Sequence, residues 1–280
     1  MNQIIQELTR VNGQASQILA ITDRGLCYGD GLFETIKVCS NKPLLWDAHF
    51  SRLELGCKRL GIPFGGLKDR FDADLKALLP LNSHDTAVLK LTVTRGSGPR
   101  GYFPSKALRP TTISSLTAAT DFSRKAAEGV ILRWCDTPLS INPLLAGIKH
   151  LNRLEQVLAR GEWENTDIAE GLMRDPDGCL IEGTMSNLFW CSAGVLYTPD
   201  IDRCGVAGVM RATLLALALK HQIPVVVGRF MPDVLNEADE VFICNSLIDI
   251  WPVIRLDGLT WEIGPVTGQL QTLLKEENSV

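Results

Sequence analysis

Lys149 lies in the stretch Leu144 to Arg160, LLAGIKHLNRLEQVLAR, where a glycine-containing loop leads into a segment of helical periodicity. An amine in the first turn of a helix sits near the positive end of the dipole, where its charge is mildly disfavoured. If it is also desolvated, its pKa falls, and a neutral amine attacks carbonyl carbon. The competing reading is a solvated surface lysine. Glu182, in CLIEGTMSNLFW, stands between apolar strand residues and a glycine turn. It is either a turn-edge glutamate facing water or a part-buried carboxylate able to pair with a protonated ring nitrogen. Other positions offer donors to an anion. GVAGVMR presents the Val206 and Ala207 amides ahead of a helix, where small residues permit close approach. Arg52 carries a planar fork in mid-helix, and Ser246, in CNSL, a hydroxyl. TRGSGPRGYFP sets Arg95, Arg100 and Tyr102 around glycines, a grouping that suits carboxylate recognition and equally a solvated hairpin loop.

The elements that must position these groups follow from the hydrophobic pattern. GQASQILAITDRG and LFETIKVCSNKPLLW suggest strands joined by the turn-like YGDG. WDAHFSRLELGCKRLGIP predicts a helix: Asp47 is a plausible N-cap, Phe50, Leu53, Cys57 and Leu60 recur at helical spacing, and Gly61 with Pro63 ends it. DTAVLKLTVT alternates as a half-buried strand does, and an apolar run follows at Ile113 to Leu116. The small, polar TAATDFSRKAAEG suggests a linker between domains. Beyond it, GVILRWCDT predicts a strand, and Leu151, Leu154, Val157 and Leu158 make one helical face. Residues 169–199 read as short strands with Asp-Gly and Ala-Gly turns. GVAGVMRATLLALALKH is a loop and a helix, and EADEVFICNSLIDIWPV a strand, a polar turn and another apolar segment. Short strands, turns and separate helices give an α+β chain rather than a regular βαβ alternation, and no G-x-G-x-x-G follows a strand.

Composition narrows the function classes. The 280 residues, 45% of them hydrophobic, are ample for a sizeable core. Lysine plus arginine number 28 against 32 acidic residues, without a basic block, so nucleic acid is not the expected partner. MNQIIQELTR lacks a charged region followed by an apolar one, and no apolar run reaches the roughly 18 to 20 residues that span a bilayer, so neither secretion nor a membrane is expected. Eight cysteines are scattered without a C-x-x-C, and four histidines form no H-x-x-x-H pair. Reduced, mostly buried thiols in a cytoplasmic chain, with no metal site, are the expectation.

Taken together, DRGLCYGDGLFETIKV, HFSRL, TRGSGPRGY, GIKHLNRLEQVLAR, EGTMSNLFW, GVAGVMR and ICNSL resemble the fold-type IV pyridoxal 5'-phosphate enzymes. That group holds branched-chain aminotransferases, D-amino acid aminotransferases and 4-amino-4-deoxychorismate lyases. The resemblance implies a small N-terminal α+β domain (1–118), a linker (119–125) and a larger C-terminal domain (126–280) with a barrel-like sheet that carries the lysine. The cofactor is expected in the cleft between the domains, in a homodimer. Lys149 looks like the Schiff-base lysine, Glu182 like the acid on the pyridine nitrogen, and Arg52 like the phosphate arginine. Val206, Ala207 and Ser246 fall where the family holds the same phosphate. Where the aminotransferases often place a tyrosine, HLNRLEQ makes Asn152 the candidate for the phenolic oxygen. Thr35, in place of the glycine usual in branched-chain enzymes, and the RGSGPRGY loop lean toward the lyases. In that case 4-amino-4-deoxychorismate is the substrate, Arg100 and Tyr102 hold its carboxylate, and Thr35 or Lys149 protonates the departing enolpyruvate. The alternative is an aminotransferase for D-amino or branched-chain amino acids.

Overall fold

A computed structural model describes residues 8–105 and 107–278, which leaves the N-terminal stretch examined for a signal largely outside the described residues. The chain forms two compact units. The first takes the chain up to Thr120 together with Ile148–Asn152; the second takes Asp121–Gly147 and Arg153 onward.

In the first unit, β1 (Thr9–Val11), β2 (Gln14–Ala15), β3 (Gly31–Cys39), β4 (Lys42–Pro43), β5 (Thr86–Thr94) and β6 (Thr111–Ala118) form an antiparallel sheet in the order β2-β1-β6-β5-β3-β4. The strand period of two sorts β3 cleanly. Leu32, Glu34, Ile36 and Val38 are buried on one face, while Phe33, Thr35, Lys37 and Cys39 are half-buried on the other. The helices are α1 (Arg24–Tyr28), α2 (Trp46–Leu60) and α3 (Leu67–Leu78). α2 buries Phe50, Leu53 and Cys57 at the expected spacing, and Gly61 ends it at φ 66°, its N–H donating to the carbonyls of Cys57 and Lys58. Its start differs from expectation: Leu45 occupies the N-cap position, and Asp47 falls in the first turn. There the carboxylate still favours the dipole. The stretch from Gly13 to Gly25 pairs as a strand only at Gln14–Ala15. Asp23 caps α1 by accepting from the Gly25 N–H, and it also accepts from Thr94 Oγ1.

The second unit is built on β7 (Val130–Trp134), β8 (Ile168–Arg174), β9 (Leu180–Gly183), β10 (Asn187–Ser192), β13 (Glu240–Asn245) and β14 (Asp249–Leu256). Neighbours run β10-β13-β14-β7-β8-β9, and β9 pairs back onto β10, so six strands close into the barrel-like sheet the resemblance implied. β11 (Val195–Pro199), β12 (Val225–Gly228) and β15 (Leu259–Thr260) extend it. Closure covers the edge that β9 would otherwise carry. Trp190, Trp251, Leu132, Leu188, Ile243 and Val253 fill one core cluster of this unit. Helices α4 (Ser123–Glu128), α5 (Leu154–Arg160), α6 (Val209–Lys220) and α7 (Pro265–Asn278) complete it.

Two boundaries differ from the sequence expectation. The stretch taken as a linker already contains structure: Phe122 packs edge-on against Trp251 at 5.3 Å, and α4 starts at Ser123. The lysine segment, Ile148–Asn152, packs with the first unit although both flanks belong to the second. Among the described residues no helix is long and apolar enough to cross a membrane, and no group of His, Cys, Asp and Glu gathers to hold a metal. All eight cysteines are free thiols, six of them buried.

Candidate active site

Lys149 is not in a helix. α5 begins at Leu154, and residues 147–152 form a bent, non-helical segment with isolated bridges at Gly147 and His150. The dipole argument therefore does not reach this amine; what holds it is β3. The Phe33 N–H donates to the Lys149 carbonyl at 3.0 Å, and the Leu151 N–H to the Gly31 carbonyl at 3.0 Å. The lysine is half-buried, and its Nζ lies 4.6 Å from the centre of the Phe33 ring. A ring face attracts a cation while covering it with apolar surface. Thr35 follows Phe33 on the same face of β3, so the strand period sets a hydroxyl next along that face from the ring that covers the amine. Asn152 donates its Nδ2 to the Gly29 carbonyl at 3.2 Å, tying the lysine segment to the YGDG turn.

The opposite face of β3 holds a buried charge cluster that the sequence reading did not include. Glu34 accepts from Arg52 through Nε at 2.8 Å and through Nη2, and its Oε2 lies 2.6 Å from His49 Nδ1. Glu34 and His49 are each about 1% exposed. Burial pushes the Glu34 carboxyl up, but the Arg52 charge and the hydrogen bonds from His49 and Arg52 outweigh it and hold the group below its ordinary value. Burial lowers His49; Glu34 opposes this, and the Arg52 and Lys149 charges reinforce it, so the imidazole is neutral at pH 7. The missed signal was Glu34 itself, a carboxylate at an inward position of an alternating strand. A buried carboxylate requires partners.

The glycine-rich loop separates its three candidates. Arg95 is buried and spent on structure: Nε and Nη2 pair with Asp30, and Nη1 and Nη2 donate to the carbonyls of Gly61 and Leu60. Arg100 is exposed and Tyr102 is 85% exposed. Arg24 shapes the loop by donating to the carbonyls of Gly101 and Tyr102, and the Tyr28 hydroxyl accepts the Gly101 N–H.

In the second unit Glu182, on β9, is buried. Its Oε2 accepts from the Val206 N–H at 3.0 Å and from Asn187 Nδ2 at 3.2 Å; the same Nδ2 donates to the Val206 carbonyl at 3.0 Å. The Ala207 N–H donates to the Gly147 carbonyl at 3.0 Å. The two amides expected to serve an anion thus brace Glu182 and the neighbouring chain. The first turn of α6, from Val209, follows directly, and its amides have no acceptor within the helix. Gly208 is required: a Cβ there would lie 1.9 Å from Asn187 Oδ1. Ser246 is half-buried in the turn between β13 and β14, where Asn245 Oδ1 accepts the Leu247 and Ile248 amides. Arg153 and Asn187 join this half without having been anticipated. Burial lowers the Arg153 pKa, while Glu182 and Glu155 oppose the shift, which marks a cation within electrostatic reach of Glu182.

The chain belongs to the amino-transferase class IV family, whose model matches residues 31–256. It is 38% identical over 266 residues to an aminodeoxychorismate lyase of Vibrio harveyi, covering 93% of this chain and 97% of that one. A 4-amino-4-deoxychorismate lyase from Pseudomonas aeruginosa superposes with a TM-score of 0.91 at 44% identity, over 98% of this chain and 100% of that one. A D-alanine aminotransferase of Listeria monocytogenes is 30% identical over 267 residues, covering 92% and 90% of the two chains.

Proposed function

We propose that this chain is a pyridoxal phosphate-dependent lyase that converts 4-amino-4-deoxychorismate to 4-aminobenzoate and pyruvate, a step toward folate. The observation that carries the reading is the likeness to two lyases at 38% and 44% identity over more than nine-tenths of each chain, above the 30% of the aminotransferase.

The residues present fit the cofactor. Lys149 supplies an amine against an aromatic face, Glu182 a buried and doubly braced carboxylate, and Arg52 a guanidinium fixed by Glu34. In this reading Lys149 anchors the cofactor and Glu182 holds the proton on its pyridine nitrogen. Arg52, Ser246 and the first turn of α6 serve the phosphate, while the Val206 and Ala207 amides, committed to Glu182 and to the Gly147 carbonyl, hold the chain that leads into that turn. Asn152 serves the phenolic oxygen. Bound pyridoxal phosphate supplies an electron sink for the carbon that bears the substrate nitrogen. The Lys149 amine would act as the general base for the proton on that carbon. Loss of the enolpyruvyl group leaves an aromatic ring, which drives the step. Thr35 or Lys149 returns a proton to the departing enolpyruvate, and Arg100 and Tyr102 hold the substrate carboxylate.

The same reading makes the protein a cytoplasmic homodimer. Free thiols throughout suit a reducing compartment. The apolar face of α5 supports assembly: Leu154, Val157 and Leu158 are 76%, 62% and 64% exposed rather than packed in the core of their own chain.

The test is direct. The purified protein is mixed with 4-amino-4-deoxychorismate, with Lys149→Ala as control, and 4-aminobenzoate and pyruvate are measured. D-Alanine and branched-chain amino acids are assayed in parallel. Equimolar products from wild type alone are expected; turnover only of the amino acids overturns the reading in favour of an aminotransferase.

A further inference from the structure

Glu170, on β8, is a fully buried carboxylate that none of the roles above uses. Its Oε1 accepts from the Gly171 N–H at 2.9 Å, from the Thr184 N–H at 3.2 Å and from Thr184 Oγ1. Its Oε2 accepts from the Met185 N–H at 3.1 Å and from Ser186 Oγ at 2.9 Å. These five donors are neutral, and all but one belong to the turn Thr184–Ser186 that joins β9 to β10. Burial raises the pKa of this carboxyl while the donors pull it down. An apolar residue would avoid the cost of burying the carboxyl, but it would leave the inward amides and hydroxyls of the turn without an acceptor.

The turn is flanked by the groups that matter. Glu182 is the residue before Gly183, and Asn187, which opens β10, pairs in register with Glu182 and donates to its carboxylate. Packing between them is tight: a Cβ on Gly183 would lie 2.4 Å from Ser186 Oγ and 3.0 Å from Glu170 Cδ. The Met185 carbonyl accepts from Asn245 Nδ2 at 3.0 Å, and Asn245 Oδ1 caps the turn that carries Ser246. One carboxylate therefore fixes a turn to which both Glu182 and the Ser246 turn are tied. We propose that Glu170 is a positioning residue for Glu182 and Ser246, setting the angle at which this half of the site meets the cofactor. The inference rests on the pyridoxal phosphate reading above.

Glu170→Gln is the diagnostic change, because it puts an amide group among donors and removes an acceptor. Glu240→Gln is the matched control: Glu240 is also a buried carboxylate, but it accepts from the Val266 and Thr267 amides and Thr267 Oγ1 at the start of α7. Pyridoxal phosphate is titrated into each cofactor-free chain, the absorbance of the bound cofactor is followed against pH, and thermal midpoints are recorded. Glu170→Gln is expected to weaken cofactor binding on the order of 10- to 100-fold, the size seen when a supporting partner of a metal ligand is lost. It is also expected to displace the pH at which the absorbance changes. Glu240→Gln is expected to lower the midpoint alone. If Glu170→Gln does not fold, Ser186→Ala, which deletes one donor, decides by a smaller displacement in the same direction. An affinity and absorbance profile like wild type, in whichever variant folds, overturns the inference. A wild-type chain that takes up no pyridoxal phosphate overturns the cofactor reading and this inference with it.

Discussion

Glu34 grips Arg52 side-on, its Oε1 2.8 Å from Nε and its Oε2 accepting from Nη2, inside a face of β3 that is otherwise apolar. The guanidinium is thereby fixed before any anion arrives. Glu34→Gln removes the charge and leaves the buried His49 and the half-buried Arg52 without it. A loss of about 3–5 kcal/mol is expected, as for one partner of a buried ion pair. The denaturation midpoint in urea measures this, and dialysis shows accompanying loss of cofactor.

The same cluster sets an acid limit. His49 has a folded pKa below its ordinary 6.5, so the unfolded chain binds more protons as pH falls below that value. Its contribution to stability is complete above 6.5 and is lost as pH falls toward the lowered folded value. Glu34, held below its ordinary 4.5, acts in the same direction: its contribution is complete above 4.5 and is lost as pH falls through the folded value. Denaturation midpoints are expected to fall steadily as pH drops below 7, and His49→Gln is expected to flatten the part immediately below 6.5.

Thr35 shares a face of β3 with Phe33 and takes no part in the buried cluster on the other face. Thr35→Val is expected to leave cofactor binding intact and to slow the lyase reaction by about a hundredfold, the lower range for a positioned proton donor. Stopped-flow release of pyruvate against bound-cofactor absorbance separates the two effects. An unchanged rate assigns the proton to Lys149.

These strands show what the sequence could and could not reveal. Period-two alternation made β5 legible, apolar runs beside turns made β3 and β13 legible, and helical spacing with a terminal glycine made α2 legible. The residue types at Lys149, Glu182 and Arg52 suggested the chemistry proposed for them only in company with the other motifs of the resemblance. The helix at Lys149 was misplaced because Leu151 continues the apolar spacing of α5, while its backbone N–H is committed to Gly31. That commitment is a long-range bond, invisible to local periodicity. Arg95 resembled a ligand for the same reason, since its partner Asp30 lies far away in sequence. Glu34 and Glu170 were overlooked although each places a charge at an inward strand position, which is a readable anomaly.

Gly208→Ala is expected to push Asn187 off Glu182, since the new Cβ would stand 1.9 Å from Asn187 Oδ1. A cost of about 1–3 kcal/mol, typical of overpacking, is expected together with weaker cofactor retention. Thermal midpoints with and without pyridoxal phosphate check both.

Leu158 lies 64% exposed on the unpartnered apolar face of α5. For the proposed homodimer, Leu158→Asp is expected to give a monomer in sedimentation velocity while leaving the fold, followed by circular dichroism, unchanged.

The threading of Ile148–Asn152 into the first unit also bears on synthesis. The first unit is not complete when Thr120 has been made; its β3 hydrogen bonds to Lys149 and Leu151 await a segment that emerges only after residues 121–147. At about 5–20 residues per second, the N-terminal sheet spends seconds on the ribosome without that segment. Lys149 thus arrives as the closing piece of the unit it joins. A fragment cut at a conventional domain boundary would separate the amine from the strand that holds it.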